Sequence, residues 1–142
     1  MEAVLNEILA SHRVPADLSV VYDDMHGLWG GSTFTVRGDG HLERRISPRG
    51  APAPTGSEKQ IGEPDLLELV RLLVELSAWE QRTADRPPLP DESRAYLTIS
   101  LNGKVSRVWE WYNDMRANNR LIRIMGWLEG QFADDPPDAP SA

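Results

Sequence analysis

Asp23 and Asp24, with His26 two residues on, are the side chains whose types and spacing come nearest to chemistry. Two carboxylates held at different pKa values beside an imidazole are what general acid–base catalysis, or a divalent-metal enzyme, would require. Neighbouring residues of an extended segment point to opposite faces, so Asp23 and Asp24 converge only if the chain turns there, and the sequence reads them as solvated turn residues. His12, His26 and His41 are scattered singly, with no two one helical turn apart. A zinc site joining His26 and His41 to Asp23 or Asp24 therefore has no spacing behind it, and neither metal nor cofactor is expected. Ser32 follows Gly30-Gly31 but precedes a strand pattern, which is not the strand–turn–helix setting of a nucleophile elbow. Gly27, Gly30 and Gly31 fit no phosphate-cradling pattern, and Arg37-Gly38-Asp39 reads as a hairpin turn. With no cysteine in the chain, thiol chemistry and disulfides are excluded.

The aromatic residues carry more. There are five tryptophans, and Trp29 sits between Gly27 and Gly30, close to Tyr22. Tryptophan and tyrosine in rigid, partly exposed settings dominate binding hot spots. The expected binding residues are Tyr22, Asp23, Asp24, His26 and Trp29, on one exposed loop, with no catalytic set. Trp79, Trp109, Trp111 and Trp127 are read as core or core edge.

The elements that must hold this loop follow from periodicity. Val4, Leu5, Ile8 and Leu9 at helical spacing predict a short amphipathic helix over residues 2–11. Leu18, Val20 and Tyr22 alternate with Ser19 and Val21, Phe34 and Val36 alternate with Thr33, Thr35 and Arg37, and both β-rich segments predict strands; Gly38-Asp39-Gly40 turns the chain into a third, His41 to Ser47. Glu43, Arg44 and Arg45 give that third strand the charge of a protected edge. Residues 48–62 are rich in proline, glycine and alanine and are expected to be mobile. Pro64 in a first turn opens a helix expected to run from Glu63 to Arg82, with Glu63 and Asp65 at the positive end of its dipole. Leu66, Leu69, Val70, Leu73 and Leu76 make its core stripe, widened by Leu67, Leu72, Val74 and Trp79, so the helix should be sandwiched or should join two copies of the chain as a homodimer. Leu97, Ile99 and Leu101 alternate before Asn102-Gly103, and Val105, Arg107, Trp109 and Trp111 share a face after it. A bulged turn that puts Leu97, Ile99, Val105 and Trp109 together under the helix buries more than a plain two-residue turn, so the bulged register is expected. Leu121, Ile124, Met125, Leu128 and Phe132 predict a closing helix over 118–132.

The fold class expected is α+β, with an antiparallel sheet of about five strands in two hairpin units. A long helix over about 63–82, a C-terminal helix and a short N-terminal helix pack it. One domain spans 1–132, with a mobile loop at 48–62 and an acidic, disordered tail at 133–142. A chain of 142 residues is long enough to bury a core without covalent staples. A net charge of −7 with only two lysines argues against a nucleic-acid partner. The start, Met-Glu-Ala-Val-Leu, lacks a secretory signal and no apolar run is long enough for a membrane span, so a cytoplasmic location is expected.

Ser32-Thr33-Phe34-Thr35-Val36 before an Asp-Gly turn, Leu66 to Trp79, Tyr96 to Leu101 before Asn-Gly, and Ile124 to Leu128 occur here in the order strands, helix, hairpin, helix. Over about two-thirds of its length the chain thereby resembles the emfourin-type family of small bacterial domains, whose best-known members inhibit thermolysin-like metalloproteases. The N-terminal helix, the Tyr22 to Gly31 loop and the insert at 48–62 are extra. The resemblance implies a non-enzymatic, protein-binding, inhibitor-like role. Two other readings compete with it. In one, an acidic immunity- or antitoxin-type protein neutralises a basic partner, and net charge steers association. In the other, a metal-dependent enzyme is built on Asp23, Asp24 and His26.

Overall fold

The computed structural model of the protein describes residues 1–26, 30–47, 55–82, 86–90 and 92–133. Alternating apolar and polar residues form the strands β1 (Ser19–Asp23), β2 (Gly31–Arg37) and β3 (His41–Ser47). After the helix α2 (Glu63–Glu75) come β5 (Arg94–Leu101) and β6 (Lys104–Trp111). A further strand, β4 (Thr55–Gln60), lies between β3 and α2. All six make one antiparallel sheet in the order β4-β3-β2-β1-β5-β6. The sheet is thus continuous through β1, which pairs with β2 on one side and β5 on the other, and it has six strands where about five were expected.

The extra strand is β4, which falls inside the stretch expected to be mobile. Its sequence, Thr-Gly-Ser-Glu-Lys-Gln, has no apolar side chain and so gives no period-2 signal. Backbone pairing holds it, with Leu42 opposite Lys59 and Arg44 opposite Ser57. Residues 48–54 and the tail from 134 lie outside the described residues.

Val20, Tyr22, Phe34, Val36, Leu42, Leu97 and Ile99 project from one face of the sheet and are almost wholly buried. Each of the four described α-helices adds to the core on that face: α1 (Glu2–Ser11) through Leu5 and Ile8, α2 through Leu66, Leu69, Val70 and Leu73, α3 (Met115–Asn118) through Met115, and α4 (Leu121–Gly130) through Leu121, Ile124 and Leu128. Helix α2 touches both α1 and α4, so its wide apolar stripe is consumed on three sides, and Leu67, Leu72 and Val74 are half-buried without a second copy. No described helix is long and apolar enough to cross a membrane.

Three expectations about boundaries and register are corrected. Helix α2 stops at Glu75, well short of Arg82, because Ser77 takes a left-handed conformation with φ 48°. The Ala78 N–H donates to the Leu73 carbonyl and the Ser77 N–H to that of Val74, at 3.0 and 3.1 Å, which is a Schellman closure with serine where glycine is usual. Ser77→Gly removes the Cβ from a conformation it disfavours and is expected to stabilise the fold by about 1 kcal/mol, measured by urea melts. The closing helix, expected over 118–132, is shorter: α3 ends at Asn118, capped by Asn119 with φ 54°, and α4 runs from Leu121 to Gly130.

At the hairpin, Asn102 and Gly103 both have positive φ, 53° and 75°, as a plain two-residue type I′ turn requires. Leu97 stands opposite Val108 and Ile99 opposite Ser106, so the expected bulge is absent and Val105 is 69 % exposed. The turn residues decided the register against the count of apolar contacts. Ser106 occupies the inner position and donates its hydroxyl to the Trp79 carbonyl at 3.1 Å.

Candidate functional site

The two-residue turn moves a whole face of β6. Arg107 and Trp109 stand on the sheet's outer side, opposite Thr98 and Tyr96, and Trp111 is opposite Arg94. The Arg94 guanidinium lies 4.1 Å from the Trp109 ring centre and 4.8 Å from that of Trp111, while Arg107 lies 4.3 Å over Tyr96. The Trp109 and Trp111 rings meet edge-on at 5.0 Å. Arg94 and Arg107 are exposed, Tyr96 and Trp109 half-buried, and Trp111 buried. This is a pre-ordered patch of arginine and aromatic side chains on rigid strands, with the stacking holding the guanidinium groups in place.

A strap made by residues 86–90 and Glu92 lies against the same end of the sheet. Arg86 gives two bonds to Glu92, at 3.0 and 2.6 Å, and one to Asp114 at 3.1 Å. The Glu92 side chain is shielded from solvent and also accepts the Leu89 N–H. The hydrogen bonds from Arg86 hold the Glu92 carboxyl below the usual carboxylate range, and those two carboxylates hold the Arg86 guanidinium protonated. Met25, His26, Pro88, Glu92, Arg94 and Tyr96 border a depression of about 410 Å³ beside the patch, so His26 and the arginine–aromatic cluster share one surface.

Of the residues predicted from the sequence, His26 is the one that reaches this surface with its own side chain in a cleft, pinned by paired backbone bonds with Gly30 at 2.7 and 2.9 Å. Asp23 ends β1 on the outer side opposite Tyr96, where its carboxylate accepts the Met25 N–H and the Thr33 hydroxyl at 2.9 and 3.3 Å. Tyr22 is fully buried; its hydroxyl donates to Asp24 Oδ2 at 2.6 Å and touches the sulfurs of Met115 and Met125. Burial, then the Asp24 carboxylate, pushes the Tyr22 phenol far up. Asp24 is buried too, and its other oxygen takes the Ser32 N–H at 2.7 Å. Tyr22 and Asp24 are therefore fastened inside the fold and not exposed on a loop as expected. Asp23 and Asp24 point to opposite sides of the sheet, so the three side chains do not converge, although Asp24 and His26 border one cleft of about 420 Å³ with Glu92 and Tyr112. Trp29 lies outside the described residues.

Arg94, Tyr96, Arg107 and Trp109 were not among the residues singled out for binding. The signal that could have found them is the outward parity of Arg94-x-Tyr96 and Arg107-x-Trp109 once the plain Asn-Gly turn is accepted. Among the described residues, the side chains whose donor atoms gather as metal ligands would are elsewhere on the outer side: His41, Glu43 and Glu58, with all donor atoms within 4.8 Å of one another.

Inside the fold, Glu110 is 3 % exposed and its Oε1 has no hydrogen-bond partner among the described residues. Burial pushes its carboxyl up, against the pull of Asn118, Arg120 and the Leu121 N–H. A raised carboxyl pKa means that the folded state holds this proton more tightly than the unfolded chain does. Its contribution is thus greatest below the ordinary glutamate range and is lost as pH rises through the raised value. Glu110→Gln should flatten that limb of the pH–stability curve, read by denaturant melts from about pH 4 to 8.

No protein-family model matches the chain, and a search of curated proteins finds no match.

Proposed function

We propose that the protein is a non-enzymatic protein-binding module whose contact surface is the outer side of β5 and β6, centred on Arg94, Tyr96, Arg107 and Trp109 and bordered by His26. The observation that carries this reading is the stacking of Arg94 over Trp109 at 4.1 Å on the side of the sheet that the helices leave open. Arginine, tryptophan and tyrosine are the residue types that concentrate binding energy, and here the strands and the Arg86 strap fix them before any partner arrives. The exposed guanidinium groups of Arg94 and Arg107 favour a partner surface that offers carboxylates, which they can take in bidentate fashion. The inhibitor-like role implied by the emfourin-type resemblance is one form of such a module, with the contact surface moved from the Tyr22–Trp29 loop to the adjoining strands.

The test is capture of partners by the wild-type protein and by Arg94→Ala, with Arg71→Ala on the exposed side of α2 as control. The reading expects a partner retained by wild type and Arg71→Ala but lost by Arg94→Ala, with no change in melting temperature. Equal capture by all three overturns it. A partner recruited by net charge alone, the antitoxin-like alternative, would instead show an association rate that collapses with added salt and is indifferent to Arg94.

A further inference from the structure

We propose that His41, Glu43 and Glu58 form a binding site for a divalent cation of the zinc class, built across the β3–β4 pair. His41 and Glu43 are two residues apart on β3 and so share the outer side, and Glu58 stands directly opposite Glu43 on β4. The His41 imidazole Nε2 lies 3.5 Å from Glu58 Oε1, and the donor atoms of all three side chains lie within 4.8 Å of one another. One nitrogen and two carboxylate ligands, with the remaining position open to water, is a donor set that zinc accepts at about 2.0–2.2 Å. Rotamer adjustment of the half-buried His41 and Glu43 and the exposed Glu58 is enough to close the gap, because the backbone ladder already fixes the strands.

A second feature points to a missing positive charge. Carboxylates directly opposite each other on antiparallel strands destabilise the pairing, and β4 has no apolar side chain to offset that. Among the described residues the cations paired with these carboxylates are Arg45, whose Nε is 3.3 Å from Glu43 Oε1, and His41 when protonated, so with a neutral imidazole the two carboxylates share one described positive charge. A shallow depression of about 510 Å³ lined by Glu43, Arg45, Gly56, Ser57 and Glu58 leaves room for the ion's remaining water ligands. The bound cation would tie β4 to β3 by a side-chain link. The inference stands apart from the protein-binding reading, since the site is three strands away from β5.

Isothermal titration of the full chain with zinc chloride near neutral pH tests it, alongside hydrogen exchange of residues 55–60. The expected result is one zinc per chain, an affinity at least about tenfold lower in His41→Ala and in Glu58→Gln, and unchanged binding in a His12→Ala, His26→Ala double variant. Zinc should also slow exchange in β4 of the wild type and not of His41→Ala. No saturable binding, or an affinity unaffected by His41→Ala, overturns the site. So does loss of binding in the His12, His26 double variant, which would place the ion elsewhere.

Discussion

Replacing Arg120 with methionine is expected to cost the fold about 3–5 kcal/mol, the largest loss for any single side chain considered, and to lower the melting temperature by about 10 °C. Arg120 is 8 % exposed and sits between α3 and α4. Its guanidinium donates to three backbone carbonyls, those of Leu76, Ser77 and Glu80, at 3.1, 2.6 and 2.9 Å. These carbonyls belong to the cap of α2 and the turn beyond it, past the regular helical bonding, where the Ser77 carbonyl also takes the Glu80 N–H. Burial lowers the Arg120 pKa, and the Glu110 carboxylate nearby opposes that. Methionine fills similar volume but takes the guanidinium donor from the Leu76 and Glu80 carbonyls, leaves the Ser77 carbonyl with the Glu80 N–H at 3.0 Å, and leaves Glu110 without its cation, so the cost is that of orphaned polar groups and not of a cavity. Lysine keeps the charge and loses the planar fork, and should recover part of the stability. Urea melts of the two variants measure both effects. An Arg120→Met protein as stable as the wild type would mean that the turn at 76–80 holds itself.

The second large effect is on binding. Arg94→Ala is expected to weaken the captured partner by about 2 kcal/mol, roughly thirtyfold in dissociation constant, while leaving stability within about 0.5 kcal/mol of the wild type. Arg94 is exposed, and its described contacts are with the Trp109 and Trp111 rings. The loss of a stacked cation therefore falls on the partner and scarcely on the core. Arg107→Ala should weaken binding less, since among the described residues Arg107 stacks on one ring, Tyr96, where Arg94 stacks on two. Fluorescence or calorimetric titration gives both constants.

Much of this arrangement is legible in the sequence, and the parts that are not have identifiable causes. Helix α1, the first three strands and the two strands around Asn102-Gly103 follow from period and turn residues. The grouping of Val105, Arg107, Trp109 and Trp111 on one face is also legible, but the side of the sheet that the face occupies is not. A one-residue change of register flips every side chain, and apolar counting favoured the wrong register. Strand β4 is invisible to periodicity because both its faces are polar. The apolar stripe of α2 continues through Leu76 to Trp79, so nothing local marks Ser77 as its end. The donor that completes the turn, Arg120, is more than forty residues away in sequence. The outer patch is illegible for a related reason: the register alone decides which side Trp109 occupies, while Trp111 is buried as its apolar character suggests, and the fold buries Tyr22 and Asp24.

The tryptophan side chains offer the most direct measurement. Each of the five indole N–H groups gives its own signal in a nitrogen–proton correlation spectrum, and four of them lie at known places: Trp79 and Trp127 on the helix side, Trp109 and Trp111 on β6. Trp127 donates to Glu68 at 2.9 Å and reports on the α2–α4 surface. On adding the captured partner, the Trp109 and Trp111 indole signals should shift or broaden while those of Trp79 and Trp127 stay in place. Movement of Trp127 with Trp109 unchanged would put the partner on the helices and contradict the surface proposed for β5 and β6.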